Sequence, residues 1–550
     1  MKNKLLAIAT ACFAIIAFAS CKKPVSQLAL YVPKDASAVF VIDTKAVLDK
    51  IALSGITIDS LADLFKQNDA LHWSGIRNSG IDINKPLYAF FKQTNSIEQG
   101  NIKTSGLIAQ VEDEKKVEAF FKKEKVDGTV LQSGKYKYIA LGNDYVAGWT
   151  DKILIISNVT GGNNSPGKYS TGEGTLSQLQ LTTLFTQKES ASIASLGEFR
   201  DVAAKPGDVH FYSNASANLN AMPMPGITKL NSLLQDSYTE GTINFEKGKI
   251  TETGETHYNK KLSDILDKYP SKGINKDMIK NYPGALTGFG IISFNPKMLV
   301  EILRYMGFDI MADSFTSSLG FTTNDVVNAF SGDIAVMFSS RSNATTEKYG
   351  QHNSGFLLNL TVGDKAAFNK VLNGLLSKQI LTKTADGYQL GLAGGHGFVI
   401  QTGNDNLFIA SSYALVKAYQ SSGEKAGLAA NVEKQISNKT MAIFIDINNL
   451  LQNKSETDSS ADMHFHGSYY SFNVAKAAKA TFKNFIVTAD KGNGKTIQSN
   501  GELNFVNTSE NSLAALAKFI AVVRAEDLKR KPMAQAFSQD YQPKDTADKQ

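Results

Sequence analysis

The sequence predicts an α+β fold, formed by a tandem duplication of a module with antiparallel sheets and packed helices. Short segments of alternating apolar and polar residues are separated by Gly-Lys, Gly-Asn and Asn-Asp turn signals, which favour antiparallel hairpins. Helical patterns occur singly between these groups of strands, as in α+β proteins. Several blocks of sequence also recur in the same order later in the chain, which indicates a repeated module.

The first residues have the pattern of an export signal. Lys2 and Lys4 precede an uncharged run, residues 5–19, of mainly apolar and small residues. A membrane-spanning helix needs about 20 apolar residues, and Lys22 and Lys23 end this run too early. We therefore predict a lipoprotein signal peptide at residues 1–20.

Cys21 is the predicted site of lipidation. The stretch "FASC" places two small residues before this cysteine and resembles the lipobox of bacterial lipoproteins. The resemblance implies a diacylglycerol on the Cys21 thiol and a fatty acid such as palmitate on its amine, with residues 21–29 as a lipidated tether. Each buried methylene contributes about 0.8 kcal/mol, and two chains give stable anchoring. The alternative is a small buried hydrophobe in an ordinary signal peptide.

The same resemblance bears on location. Lys22, and not aspartate, follows the cysteine, and the first acidic residue is Asp35. By the sorting rules of such lipoproteins, this pattern implies an outer-membrane protein that faces the periplasm. Cys12 would leave with the signal peptide, so the mature chain is expected to have no disulfide.

The charge pattern argues against a nucleic-acid partner. The 58 basic and 52 acidic side chains give a formal charge of +6. Binding of nucleic acid would require basic residues gathered on one face, whereas the densest basic run, "EDLKRKP", contains acids and opens a polar tail.

Residues 30–260 form the first predicted α+β module. Residues 107–111 read as a strand, and Asp113 is the expected cap of a helix with Val117, Phe120 and Phe121 on one face. Short strands follow, and the module closes with a long strand pair around a Gly-Lys turn.

Residues 281–525 form the second module, which repeats this plan. There, residues 357–362 are the strand, Asp364 is the cap, and apolar residues recur at i, i+3, i+4 and i+7. We predict a helical linker at residues 261–280 and a polar disordered tail at residues 526–550.

One loop comes close to a phosphate-binding motif. Gly162, Gly167 and Lys168 follow a strand with the P-loop spacing, but Tyr169 takes the place of the hydroxyl residue that would bind magnesium. A hairpin or inter-strand loop is therefore the favoured interpretation.

The other candidates for chemistry are weak. His464 and His466 share one face of an extended segment near Asp458 and Asp462, but the polar composition favours an exposed loop. His396 lies between glycines in an expected turn, and the Ser-x-x-Lys matches "SPGK" and "SGEK" have no companion motifs. Core or strand packing is favoured for both tryptophans. We therefore predict no catalytic, cofactor-binding or metal-binding residue. The candidate tryptophans are Trp73 and Trp149.

The combination resembles a known family. A lipobox cysteine, the stretch "LYVPKDASAVFVIDTKAVLDKI" and a duplicated strand-helix-strand body resemble a Bacteroidota lipoprotein family catalogued as domain of unknown function family 4836. The resemblance implies a location and an architecture, but it implies no catalytic residue.

The predicted function is that of a membrane-anchored envelope lipoprotein, held to membrane lipid by acylated Cys21 and acting as a non-enzymatic binding or interaction protein with a protein partner in the envelope. The alternative is an envelope hydrolase whose site is assembled from residues distant in sequence. A pocket with clustered His, Asp and Glu would favour the enzyme. A broad exposed apolar patch would favour a protein partner, and an apolar cavity with few polar groups would favour a small ligand or lipid.

Overall fold

The computed structural model describes most of the chain and divides it into two compact units. The first unit contains the described residues within Met1–Asp49, Gln67–Pro223 and Tyr238–Ile243, and the second those within Lys50–Lys66, Met224–Ser237 and Asn244–Gln550. The described residues are 26–52, 78–96, 100–123, 129–142, 145–161, 176–219, 227–339, 355–391, 398–423, 425, 427–451, 463–465, 468–470 and 472–540.

The first unit is built on an antiparallel sheet with the strand order β9-β8-β1-β2-β3-β7-β6-β5-β4. Only residues Tyr238–Ile243 of β9 belong to this unit. The strands are β1 (Ala38–Ile42), β2 (Leu87–Ser96), β3 (Gly100–Gln110), β4 (Leu131–Ser133), β5 (Tyr136–Gly142), β6 (Tyr145–Trp149), β7 (Ile153–Gly161), β8 (Val209–Asn214) and β9 (Tyr238–Glu246).

Helices pack on both faces of this sheet. Along β7, Ile155 joins the cluster that contains Leu181 and Leu184, whereas Leu154 and Ile156 join the cluster with Phe121 on the other face. This explains why β7 is apolar without alternation. The helices of this part are α1 (Thr44–Ala52, which begins in the first unit), α2 (Glu114–Lys123), α3 (Leu176–Thr186), α4 (Gly197–Ala203) and α5 (Ala215–Leu219).

The second unit has an antiparallel sheet with the order β10-β22-β21-β18-β11-β12-β13-β17-β16-β15-β14. A separate pair, β19 (Met463–Phe465) and β20 (Ser468–Tyr470), lies outside it. The strands are β10 (Lys249–His257), β11 (Gly288–Ser293), β12 (Phe330–Ser339), β13 (Gly355–Val362), β14 (Leu381–Lys383), β15 (Tyr388–Leu390), β16 (Val399–Thr402), β17 (Asn406–Ala410), β18 (Lys439–Asp446), β21 (Phe482–Asp490) and β22 (Thr496–Phe505).

One face of the second sheet is buried under helices. Phe289 and Ile291 of β11 pack in a cluster with residues of three helices, α8, α13 and α14. The helices of the unit are α6 (Ile227–Leu234), α7 (Lys260–Lys268), α8 (Asp277–Lys280), α9 (Lys297–Met306), α10 (Asp309–Ser318), α11 (Thr323–Ala329), α12 (Lys365–Ser377), α13 (Tyr413–Gln420), α14 (Ala430–Ile436), α15 (Ile447–Leu450), α16 (Phe472–Thr481) and α17 (Ser512–Asp540).

Buried polar groups hold this core together. The Tyr419 hydroxyl donates to the carbonyl of Met278 at 2.8 Å and accepts from Asn359 Nδ2 at 2.9 Å. Burial raises the pKa of Tyr419 to about 12, so the phenol stays protonated at neutral pH. These bonds offset the cost of burying a phenol and attach α8 to the sheet.

The α+β class and the antiparallel strands are confirmed. Asp113 Oδ1 accepts from the backbone N–H of Lys116 at 3.1 Å, and Asp364 Oδ1 accepts from that of Ala367 at 2.9 Å, so both predicted caps begin their helices. The two sheets also share a strand order. Strands β1 to β9 correspond, in chain order, to β11 to β18 and then β21, and each strand has the same position in its sheet as its counterpart. The duplication itself stays a prediction.

The predicted boundaries differ from the observed units in two places. Strand β10, assigned to the first module, pairs with β22 along nine residues and belongs to the second unit. Residues 261–280, the predicted linker, contain most of α7 and all of α8, which buries Met278 and Ile279 in the core. They are thus an integral part of the second unit.

The predicted tail is also helical over much of its length. The backbone of α17 is helical through Asp540, and so within part of the segment that the sequence predicts to be a disordered tail. Alanine, leucine, lysine and arginine dominate this segment and have high helix propensity. Within the described residues, we find no helix that is long and apolar enough to span a membrane.

Candidate ligand-binding cavity

A cavity of about 520 Å³ lies in the second unit, on the face of the sheet opposite the buried core. This volume falls in the range of about 300–1,000 Å³ that is typical of small-molecule sites. Its walls come from four places: the sheet, the end of α7, the start of α9 and the turn between β21 and β22.

The floor is a row of residues directly opposite one another on neighbouring strands. Ile292 pairs with Met441, Met441 with Ala489, and Ala489 with Ser499. Side chains alternate between the two faces of a sheet. The preceding residue Ile291 is therefore buried in the core, whereas Ile292 is 40% exposed where the cavity opens above it.

Helix α7 forms one wall. Asn259 caps its start, with Oδ1 accepting from the backbone N–H of Leu262 at 3.0 Å, and the chain turns away before Pro270. This places Leu266 and Tyr269 against the cavity. The Tyr269 hydroxyl donates to Glu301 Oε2 at 3.2 Å, which ties this wall to α9, the helix that contributes Met298.

The turn between β21 and β22 forms a further wall, beside α7. Asn493 Oδ1 accepts from the backbone N–H of Thr496 at 2.8 Å. Gly494 has a φ of +77°, and a Cβ there would come within 1.7 Å of Asp267 Oδ1. Only glycine takes this conformation without strain beside the carboxylate.

Two hydroxyls that line the cavity already donate hydrogen bonds within the protein. The Ser271 hydroxyl donates to the carbonyl of Ser293 at 2.7 Å, and the Thr440 hydroxyl to that of Asp490 at 3.0 Å. Tyr258 differs from both, because within the described residues its hydroxyl makes no hydrogen bond. Burial raises the pKa of Tyr258, so it is a neutral donor available to a ligand.

The charges at the cavity are sparse. Among the described residues that line it, Asp267 is the one carboxylate and Lys491 the one ammonium, and histidine, cysteine and glutamate do not occur. Nucleophilic catalysis needs a nucleophile next to a base, whereas the hydroxyls of Ser271 and Thr440 donate to backbone carbonyls. The lining is instead typical of a site that binds an apolar molecule.

A family model described as "Domain of unknown function (DUF4836)" matches residues 30–417. The chain belongs to this family. The matched stretch of the DUF4836 chain contains Tyr258, Ile292 and Met298 from the cavity. Met441, Ala489 and Ser499 lie beyond its end.

Comparison with other known proteins adds little to this DUF4836 assignment. No curated protein matches the chain significantly. Two solved structures, titled crystal forms I and III of TP0453, are 12% and 10% identical, with TM-scores of 0.24 and 0.25. Each covers 44% of this chain, and the alignments cover 81% and 86% of those chains. Scores this low do not establish a shared fold.

Most residues singled out from the sequence lie outside the described residues. These include the lipidation candidate Cys21, and Cys21 acylation stays a prediction. His464 belongs to β19, where it pairs with Tyr469. The candidates outside the description are Trp73, Gly162, Gly167, Lys168, Tyr169, His396, Asp458, Asp462 and His466.

Two further candidates have structural positions. Lys425, from the second Ser-x-x-Lys match, donates through Nζ to the carbonyls of Ala418 and Tyr419 at 2.9 and 2.7 Å, at the end of α13. It therefore caps this helix. Trp149 is fully buried and stacks on Phe121 with 5.4 Å between ring centroids, which confirms the prediction of core packing.

The sequence reasoning missed the cavity. One signal was present: Ile291 and Ile292 are adjacent in β11, as are Met441 and Ala442 in β18, so both faces of these strands are apolar. That pattern indicates that each face is covered or binds something, but it does not show which face is open.

Proposed function

We propose that this DUF4836 chain is a lipid-anchored protein of the cell envelope that binds a small, largely apolar molecule in the cavity of its second unit. The anchor is acylated Cys21, in an outer membrane and facing the periplasm. The proposal rests on the lipobox resemblance for location and on the cavity for activity.

The observation that carries the binding function is the composition of the floor. Ile292, Met441 and Ala489 present an apolar surface on three adjacent strands. Burying apolar area there contributes about 25 cal/mol per Å². The neutral hydroxyl of Tyr258 gives such a ligand one point of orientation.

Binding is favoured over hydrolysis at this site. A hydrolase would need an activated hydroxyl or water. The Ser271 hydroxyl that lines the cavity is already committed as a donor to a backbone carbonyl, and the described lining offers no histidine to activate it.

The test is a fluorescence titration with N-phenyl-1-naphthylamine, an uncharged apolar probe. The protein is the full chain carrying Cys21→Ala, which removes the acylation site. In this background Ala489→Trp fills the cavity from its floor. Ala366→Trp is the matched control, because Ala366 is exposed on α12 and does not line the cavity.

We expect saturable binding that Ala489→Trp weakens at least about tenfold, a loss of about 1.4 kcal/mol, and that Ala366→Trp leaves unchanged. Met298→Trp, which blocks the cavity from α9, should act like Ala489→Trp. Circular dichroism confirms that each variant is folded. Equal probe affinity in all folded variants would refute the proposed site.

A further inference from the structure

A second, smaller cavity of about 250 Å³ adjoins the first in the same unit. The two share four lining residues, so they are neighbouring compartments along one wall. The shared residues are Pro270, Ser293, Phe294 and Asn295.

The smaller cavity is cationic. Lys272 and Lys297 line it, and no carboxylate appears among its described lining residues. Neither lysine forms an ion pair within the part of the chain that the structure describes. Asn328 and Ser331 add polar side chains. This lining differs from the apolar floor of the larger cavity.

Two acids on the elements that carry the lining residues have other partners. Asp333 lies opposite Ser293 on β12 and accepts from the Ser331 hydroxyl at 3.4 Å, but it does not line the small cavity. Glu301 of α9 accepts from Lys268 Nζ at 3.2 Å and also bonds Tyr269. The ammonium groups of Lys272 and Lys297 are therefore available to an anion.

The position of Lys297 is well defined. Asn295 Oδ1 accepts from the backbone N–H of Lys297 at 3.1 Å and holds the chain as it enters α9. Two adjacent residues at the start of α9 thus line different cavities: Lys297 lines the smaller one and Met298 the larger one.

We infer that the two cavities together bind one anionic amphiphile, with its apolar chain in the larger cavity and its carboxylate or phosphate between Lys272 and Lys297. This inference rests on the proposed function and specifies its ligand class. A single-chain fatty acid and a lysophospholipid with a phosphate head share this chemistry.

Displacement of N-phenyl-1-naphthylamine tests the inference in the full Cys21→Ala chain, with decanoate, decyl phosphate and decanol as competitors. An exposed ionic contact contributes about 0.2–1 kcal/mol, so two contacts should make at least one anion about twofold to thirtyfold stronger than decanol. A phosphate preference indicates the lysophospholipid-type head, and a carboxylate preference the fatty acid. Each added methylene should strengthen binding about fourfold.

The double variant Lys272→Gln/Lys297→Gln should remove the preference for the anion and leave decanol binding unchanged. Lys434→Gln/Lys483→Gln is the matched control, because it removes two exposed charges of the same unit away from both cavities. This control should keep the preference. Rising ionic strength should reduce it, since the lysines are exposed.

Two results would overturn the inference. One is equal competition by decanol and both anions in the unmutated lysine background. The other is displacement of the probe by inorganic phosphate alone, which has no chain to enter the larger cavity. Either result would leave probe binding and its block by Ala489→Trp intact, so failure of this inference is distinguishable from failure of the proposed site.

Discussion

Replacement of Gly494 by alanine tests the wall of the cavity. At a φ of +77° an L-residue costs about 1–2 kcal/mol. The new Cβ would also lie 1.7 Å from Asp267 Oδ1. Asp267 is exposed, so its side chain can rotate away from its favoured position at a cost of about 0.5–1.5 kcal/mol. Gly494→Ala should therefore lower the free energy of unfolding of the second unit by about 1.5–3.5 kcal/mol.

The double variant separates the two contributions. Asp267→Ala removes the collision but not the backbone strain, so Gly494→Ala should cost only about 1–2 kcal/mol when Asp267→Ala is already present. The assay is urea unfolding followed by circular dichroism, with the two units fitted as separate transitions. A cost of Gly494→Ala below about 0.5 kcal/mol would show that the backbone of this turn is not strained, and an equal cost with and without Asp267 would show that the new Cβ does not collide with the carboxylate.

Three further predictions address other parts of the chain. Hydrogen bonds from the Lys370 ammonium, and from the backbone N–H and hydroxyl of Thr322, lower the pKa of Asp325 to about 2. Because this value lies below the unfolded one, the stabilisation is complete above about pH 4 and is lost as the pH falls through about 2. Asp325→Asn should thus lower the free energy of unfolding by about 1–2 kcal/mol at pH 7 and by little at pH 2. The same change at exposed Asp386 is the control and should have no measurable effect. A loss for Asp325→Asn that does not change with pH in urea unfolding would contradict this prediction. Trp149→Ala should destabilise the first unit by about 3–5 kcal/mol through the cavity it leaves, and a loss below about 1 kcal/mol in the same assay would show that this core is not tightly packed. Cys21→Ala should release the protein from the membrane pellet after cell fractionation, and continued pelleting would rule out the lipid anchor.

The features that were predicted correctly from the sequence are encoded by short, local stretches of residues. The strand-to-helix units in which Asp113 and Asp364 cap the helices are encoded within about twenty residues by an apolar run, a capping carboxylate and a helical period. The burial of Trp149 follows in the same way from its place in a short apolar strand. At the end of the chain, polar composition predicts disorder, whereas the backbone of α17 is helical as far as Asp540.

The cavity depends on information that one sequence does not display. Its floor joins Ile292, Met441, Ala489 and Ser499, which are brought into one row only by the pairing of four strands. Register of this kind is set by long-range packing. The small cavity likewise combines Lys272 and Lys297 with residues near 328 and 363, and no local pattern marks these lysines as different from other exposed ones.

The proposed site holds an apolar ligand on one face of the sheet of the second unit. Photolabelling of the full Cys21→Ala chain with a decyl alcohol that carries a diazirine, followed by peptide mass spectrometry, tests it most directly. We expect saturable labelling of peptides that contain Met298, Met441 or Ile497, and competition by excess decanol. Labelling confined to other peptides, or labelling that decanol does not reduce, would show that no apolar ligand binds at this site.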